Sequence, residues 1–136
     1  MFPGTFGQIS KTRPLKLHLA SADGRNAITG YGSGYVEING NRYESNLVVL
    51  PGSIETDWKP GPGGDIGVES VAFLASLEAE IVLLGTGIEQ RFPPPATLRP
   101  LIDAGIGFEV MDTFAACRTY NILVAEDRRV AAALLI

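Results

Sequence analysis

The stretch EIVLLGTGIEQRFPPP, Glu80 to Pro95, decides the fold. An apolar run that stops on Gly85-Thr86-Gly87 opens either a nucleotide-binding unit or a plain strand with a tight turn. A dinucleotide fold needs G-x-G-x-x-G running straight into a helix whose N-terminus receives the pyrophosphate. Here Gln90 stands where the third glycine belongs, and Pro93 to Pro95 delay any helix. No Walker-type phosphate loop occurs elsewhere. The pattern favours strand and tight turn over a phosphate cradle.

Downstream, ATLRPLIDAG reads as a short helix ended by Gly105, and GFEVM as a second strand. TFAACRTYNILVAED follows as a helix capped by Asp112 or Thr113, with Phe114, Cys117, Asn121 and Val124 on one face. RRVAAALLI is a last strand. Upstream, Asp65 is placed to cap a helix running to about Glu78. Its stripe of Val68, Val71, Ala72 and Ala75, widened by Phe73, Leu74 and Leu77, is expected to lie on a sheet. Strands alternating with helices imply βαβ units. A right-handed crossover then sets Glu80–Gly85 beside Phe108–Met111 as a mainly parallel pair.

The first half reads as β. LKLHL, Leu15 to Leu19, alternates leucines with Lys16 and His18 as a half-buried strand does. Asn39-Gly40 is a strong type I′ hairpin signal, and the register it sets places Glu37 opposite Arg42, with Val36, Tyr43, Leu47 and Val49 on the other face. Pro51-Gly52 ends the second strand of that hairpin. GYGSG, Gly30 to Gly34, leads into a strand and reads as a bulge or a close backbone approach. Trp58, in the loop ETDWKPGPGG, either anchors a partner or covers an open edge of the core.

Composition removes several function classes. The chain has 136 residues, 46% of them hydrophobic, which suits one domain over residues 1–136. A net charge of -4 lacks the basic footprint of a nucleic-acid partner. The start, MFPGTFGQISKTRP, carries no signal-like core, and no run approaches a membrane span, so a cytoplasmic protein is expected. Cys117 is the only cysteine and His18 the only histidine, which argues against a metal cluster and makes a Cys-His dyad a remote pairing of distant segments. Asp103, Glu109 and Asp112 are read as solvated caps before a catalytic carboxylate pair. No catalytic, cofactor or metal residue is assigned.

In an α/β sheet, ligands collect beyond the carboxyl ends of parallel strands, and two such ends carry Gly85-Thr86-Gly87 and Asp112-Thr113. A crevice of Thr86, Gly87, Arg91, Asp112, Thr113 and Arg118 is therefore the candidate site, with a small anion as its candidate ligand. Asn121 is expected to bridge to neighbouring backbone, and Arg118 to tie its helix to a loop carboxylate.

GYGSGYVEING, the LLGTG turn and CRTYNILVAEDRRVAAAL, in this order, resemble the domain family of unknown function that includes mitochondrial complex I assembly factor three and an adipogenesis-associated human protein. The resemblance runs from about Ile28 to Leu135, most specifically in its C-terminal part. It implies a three-layer α/β domain with a central mixed sheet, in which an N-terminal β-hairpin region precedes βαβαβ. It carries over no catalytic residue. For function it implies a non-catalytic accessory or assembly factor in a bacterium, acting on an unidentified protein partner and linked to respiratory complex assembly. The crevice supports the alternative of a small-molecule or anion-binding protein, an enzyme included.

Overall fold

A computed structural model describes residues 24–61 and 64–136. The strand expected at Leu15–Leu19, and His18 with it, lie outside the described residues. Among the described residues, eight strands form two sheets. β1 (Ile28–Gly32), β2 (Tyr35–Ile38) and β3 (Asn41–Tyr43) make a small antiparallel sheet. The larger sheet has β4 (Leu47–Leu50), β5 (Ser53–Glu55), β6 (Ile81–Gly85), β7 (Gly107–Met111) and β8 (Val130–Leu134) in the order β5-β4-β8-β6-β7. β6 runs parallel to both β7 and β8, while β4 runs antiparallel to β8, so the sheet is mixed.

The helices among the described residues are α1 (Val68–Ala75), α2 (Arg99–Asp103), which continues a 3-10 turn at Pro95–Leu98, and α3 (Thr113–Ala125). Strand alternation divides the core in two. Val48, Val82, Leu84, Ala131 and Ala133 face α1, α2 and Trp58. Leu47, Val49, Leu83, Ala132 and Leu134 face α3 and the small sheet. The result is three layers about a central mixed sheet, with β6-α2-β7-α3-β8 forming the βαβαβ unit. Alanines in β8 let both outer layers approach the middle strand closely. Trp58 is buried and donates its indole N–H to Ser70 O at 3.2 Å, so it covers the core.

The hairpin has its expected register, Val36 opposite Tyr43 and Glu37 opposite Arg42, and Asn39 (φ 54) and Gly40 (φ 83) make its turn. The charges pair differently from the expectation. Arg42 donates to Glu44 at 2.8 Å and lies 3.9 Å over the Tyr35 ring, while Glu37 accepts from the Thr29 hydroxyl at 2.7 Å. The Tyr35 ring in turn lies over Gly32: a Cβ there would sit 2.5 Å from a ring carbon. GYGSG is therefore a close approach, and β1 also carries a register irregularity between Ile28 and Gly30.

Two elements differ from the sequence reading. The strand expected from Asn41 through Leu50 breaks at Glu44-Ser45-Asn46, because Asn46 turns the chain from one sheet to the other and accepts a hydrogen bond from Ile136 N at 2.8 Å. α1 is shorter than expected and starts after Gly67, with Ser70 Oγ accepting from Gly67 N at 3.0 Å, while Asp65 pairs elsewhere. Its buried face is Ser70, Val71 and Leu74, leaving Val68, Ala72 and Phe73 on the outside.

α3 is capped by Asp112, whose Oδ1 accepts from Ala115 N at 2.9 Å. Its fully buried line is Ala116, Cys117, Tyr120 and Val124, so Tyr120 takes the central position where the sequence reading put Asn121. Asn121 still makes the expected bridge, accepting from Ile28 N at 2.9 Å and donating to Ile28 O at 2.8 Å. Tyr120 donates to Asn26 O at 2.9 Å. Asn26 adds bonds from its side chain to Leu50 O at 2.8 Å and Ser53 O at 3.1 Å, stitching β4 and β5 of the larger sheet to α3.

Burial pushes the Cys117 thiol up from its ordinary 9.0 to about 12, and burial likewise raises the Tyr120 phenol. Both groups stay neutral in the folded state, whereas the unfolded chain releases the thiol proton near pH 9. Folding stability is therefore expected to be whole below about pH 9 and to fall as pH rises toward 12. Native protein at pH 8 should leave Cys117 unmodified by a disulfide reagent until denaturant is added. Stoichiometric labelling without denaturant would contradict this packing.

Candidate functional site

The strand β6 ends on Gly85, and three segments converge there. A Cβ at Gly85 would lie 3.1 Å from Thr113 Cα, 3.1 Å from Leu134 Cδ2 and 3.2 Å from Ala116 Cβ. Only the missing side chain lets the start of α3 reach the sheet edge. Thr86 N donates to Met111 O at 2.9 Å, Thr113 N to Gly87 O at 2.8 Å, and Gly87 N to Thr113 Oγ1 at 2.8 Å. The Thr113 hydroxyl passes its own proton to Leu135 O at 2.7 Å, and Leu135 N returns to Gly85 O at 2.9 Å. Thr86 and Thr113 are both buried.

These bonds place Gly87, Asp112 and Thr113 together at one sheet edge, with the N-terminus of α3 at the glycine turn. Four of the backbone donors that a phosphate would use are engaged within the protein. Thr113 N and Gly87 N bond each other's segments, and Ala115 N and Ala116 N bond Asp112. The switch point of the sheet is closed by its own residues.

The loop beyond is braced as firmly. Thr86 Oγ1 donates to Glu89 O at 2.6 Å and accepts from Arg91 N at 3.0 Å. Gln90 Nε2 donates to Val110 O at 2.9 Å, covering part of the outer edge of β7. Gln90, which spoils the dinucleotide motif, thus has a structural task of its own. On this frame Ile88 and Phe92 stand 80% and 71% exposed.

Two clefts open on either side of Arg91. One, of about 270 Å³, has an apolar wall that includes Ile66, Phe92, Pro93 and Leu135, with Asp65 and Arg91 at its mouth. The other, wider at about 700 Å³, runs from Arg91 past Gly87 and Ile88 to Ser33 and Asn46. Of the residues singled out in the sequence, Thr86 and Arg91 border both clefts and Gly87 borders one. Asp112 and Thr113 stand behind them as framework. Arg118 is not part of this group: its Nη1 donates to the Tyr31 hydroxyl at 2.9 Å, on the far side of α3's first turns, where Tyr31 stacks on Phe114. Its partner is thus a phenol on β1, and the loop carboxylate expected from the sequence is not involved. Asp103 pairs with Arg99 at 3.4 Å and Asp112 caps α3, so these carboxylates have separate local roles. Ile66 and Phe92 gave no signal in the sequence, since isolated apolar residues in loops carry no periodicity.

No helix among the described residues is long and apolar enough to cross a membrane. The chain is 39% identical over 129 residues to the Bos taurus protein named NADH dehydrogenase (ubiquinone) 1 alpha subcomplex assembly factor 3, covering 93% of this chain and 65% of that one. It is 41% identical over 100 residues to the Danio rerio protein of the same name, covering 72% of this chain and 57% of that one. It thus spans less than two thirds of the length of either relative. A crystal structure of a Bordetella parapertussis protein superposes with a TM-score of 0.75 at 42% identity, over 82% of this chain and 95% of that one. The profile of one family spans residues 28–135, taking in both sheets, the glycine turn and all of α3, and the chain belongs to that family, described as protein of unknown function (DUF498/DUF598).

Proposed function

We propose that this protein is a non-catalytic accessory or assembly factor that works in the bacterial cytoplasm by binding another protein, and that its partner belongs to a respiratory NADH dehydrogenase. The name its relatives carry supports the assembly role. The observation that carries the binding role is the pair Ile88 and Phe92, exposed on a loop that Thr86, Gln90 and Thr113 hold in place. Apolar side chains on a rigid support lose little freedom when a partner covers them, which is the economy of a docking anchor. A second reading, a small-molecule or anion-binding protein, is supported by Arg91, which stands between two clefts.

Human cells lacking the assembly factor provide the test. This chain, fused to a mitochondrial presequence, is expected to restore assembled NADH dehydrogenase on native gels. The double variant Ile88→Asp, Phe92→Asp is expected to fail while keeping the parent's melting temperature. No restoration by the parent chain, or equal restoration by the double variant, would refute the docking role.

A further inference from the structure

The geometry points to a ligand class for the smaller cleft beside Arg91: a carboxylate carried on a compact apolar body, aryl or branched aliphatic. This rests on the second reading above and is independent of docking through Ile88. Arg91 Nη1 meets Asp65 Oδ1 at 3.3 Å, and no other hydrogen bond of its guanidinium is made among the described residues. The rest of this planar donor fork therefore has no partner among the described residues, and carboxylate is one of the two groups whose geometry the fork matches. Asp65 already shows a carboxylate meeting this guanidinium, in a long single bond between side chains that are 69% and 59% exposed. Such a pair is weak and exchangeable.

The rest of the cleft defines the body of the ligand. Ile66 and Leu135 are nearly buried, and with Phe92 and Pro93 they offer apolar surface that asks for no hydrogen bond. The Thr86 hydroxyl accepts from Arg91 N and donates to Glu89 O, and the Thr86 N–H is taken by Met111 O. A phosphate, nucleotide or sugar needs several convergent donors, and this cleft supplies one. Its volume of about 270 Å³ also lies just below the roughly 300–1,000 Å³ of pockets that take drug-sized ligands. One charged end and a small apolar remainder match what is left.

Benzoate and isovalerate, titrated into the nitrogen-15-labelled protein, provide the measurement. Saturable shifts are expected at Arg91, Phe92 and Leu135 with at least one of the two probes, and benzamide, which has the shape of benzoate without its charge, is expected to give none. Arg91→Gln should abolish the response and melt with the parent, since that side chain is largely exposed. Asp65→Asn supplies the opposite sign. Removing the competing carboxylate frees the fork, and because an exposed ion pair is worth at most about 1 kcal/mol, the dissociation constant is expected to drop by up to about fivefold. A structural role for Asp65 would not tighten binding. The assignment is overturned by equal shifts from benzamide, by an Arg91→Gln protein that responds as the parent does, by weaker binding in Asp65→Asn, or by no saturable shift with either carboxylate. The docking role is read separately at Ile88, which lies outside this cleft.

Discussion

Gly85→Val is expected to lower the melting temperature by about 10 °C, as read by calorimetry or circular dichroism. A Cβ at this position already lies 3.1 Å from the Thr113 Cα and from the Leu134 side chain, and 3.2 Å from the Ala116 methyl. Valine adds two methyl groups to that contact. The neighbours cannot retreat cheaply: Thr113 is held through both its amide and its hydroxyl, and Leu134 belongs to the central strand β8. Overpacking a tight interior costs typically about 1–3 kcal/mol, and more where backbone has to move. At about 3–4 °C per kcal/mol for a domain of this size, the upper part of that range gives the stated shift. Gly52→Ala is the control. A Cβ at Gly52 meets nothing within 4 Å, so this variant should melt within about 2 °C of the parent. If Gly85→Val behaved like Gly52→Ala, the close seating of α3 on the end of β6 would be wrong.

Gly85 also shows how far the sequence was legible. The apolar run Glu80–Gly85, the turn after it and the second strand at Gly107–Met111 were readable because a buried parallel strand bounded by glycine is a local pattern. The pairing of β6 with β7 then followed from the handedness of crossovers, and the seating of α3's N-terminus at the glycine turn followed with it. The hairpin at Asn39-Gly40 was legible for the same reason, since the turn chemistry fixes the register alone. What escaped were decisions made by distant partners. Nothing near Glu44-Ser45-Asn46 announces that the chain changes sheets; the reason is the main chain of Ile136, ninety residues on. α1 exposes Val68 and Phe73, while Trp58 and Ile66 from the segment before it join Val71 and Leu74 in the core. Asn26 gave no signal at all, although it joins β4, β5 and α3 through its side chain and carbonyl.

The candidate site divides along the same line. Thr86, Gly87, Asp112 and Thr113 were named from the topology of parallel strand ends, and the structure does bring them together. The chemistry expected of them, open N–H groups awaiting an anion, depends on what else reaches those donors, which is a tertiary fact. Arg118 sits one helical turn and a half beyond Thr113 and turns toward Tyr31, because the small sheet covers that flank of α3. Ile88 and Phe92 became visible only through their exposure.

Thr113→Val gives the most direct test of the closed junction. The Thr113 hydroxyl accepts from Gly87 N at 2.8 Å and donates to Leu135 O at 2.7 Å, and the residue is 4% exposed. Valine keeps the shape and removes both bonds. A buried donor or acceptor left without a partner costs about 1–3 kcal/mol, so with two such groups a loss near 3 kcal/mol is expected, or about 10 °C in melting temperature. Thr113→Ser keeps the hydroxyl and gives up one methyl group, worth about 0.8 kcal/mol. Serine should therefore recover most of what valine loses, an order that packing alone would not produce, since valine fills the site better. Hydrogen exchange adds a local reading. If the hydroxyl is what holds Gly87, its amide should exchange about tenfold faster for each 1.4 kcal/mol lost in Thr113→Val, and stay protected in Thr113→Ser. A valine variant as stable as the serine one, with the Gly87 amide still protected, would mean that the turn is held by other contacts. The rigid presentation of Ile88 and Phe92 would then rest on the bonds of Thr86 and Gln90 and on the Thr113 amide, not on the Thr113 hydroxyl.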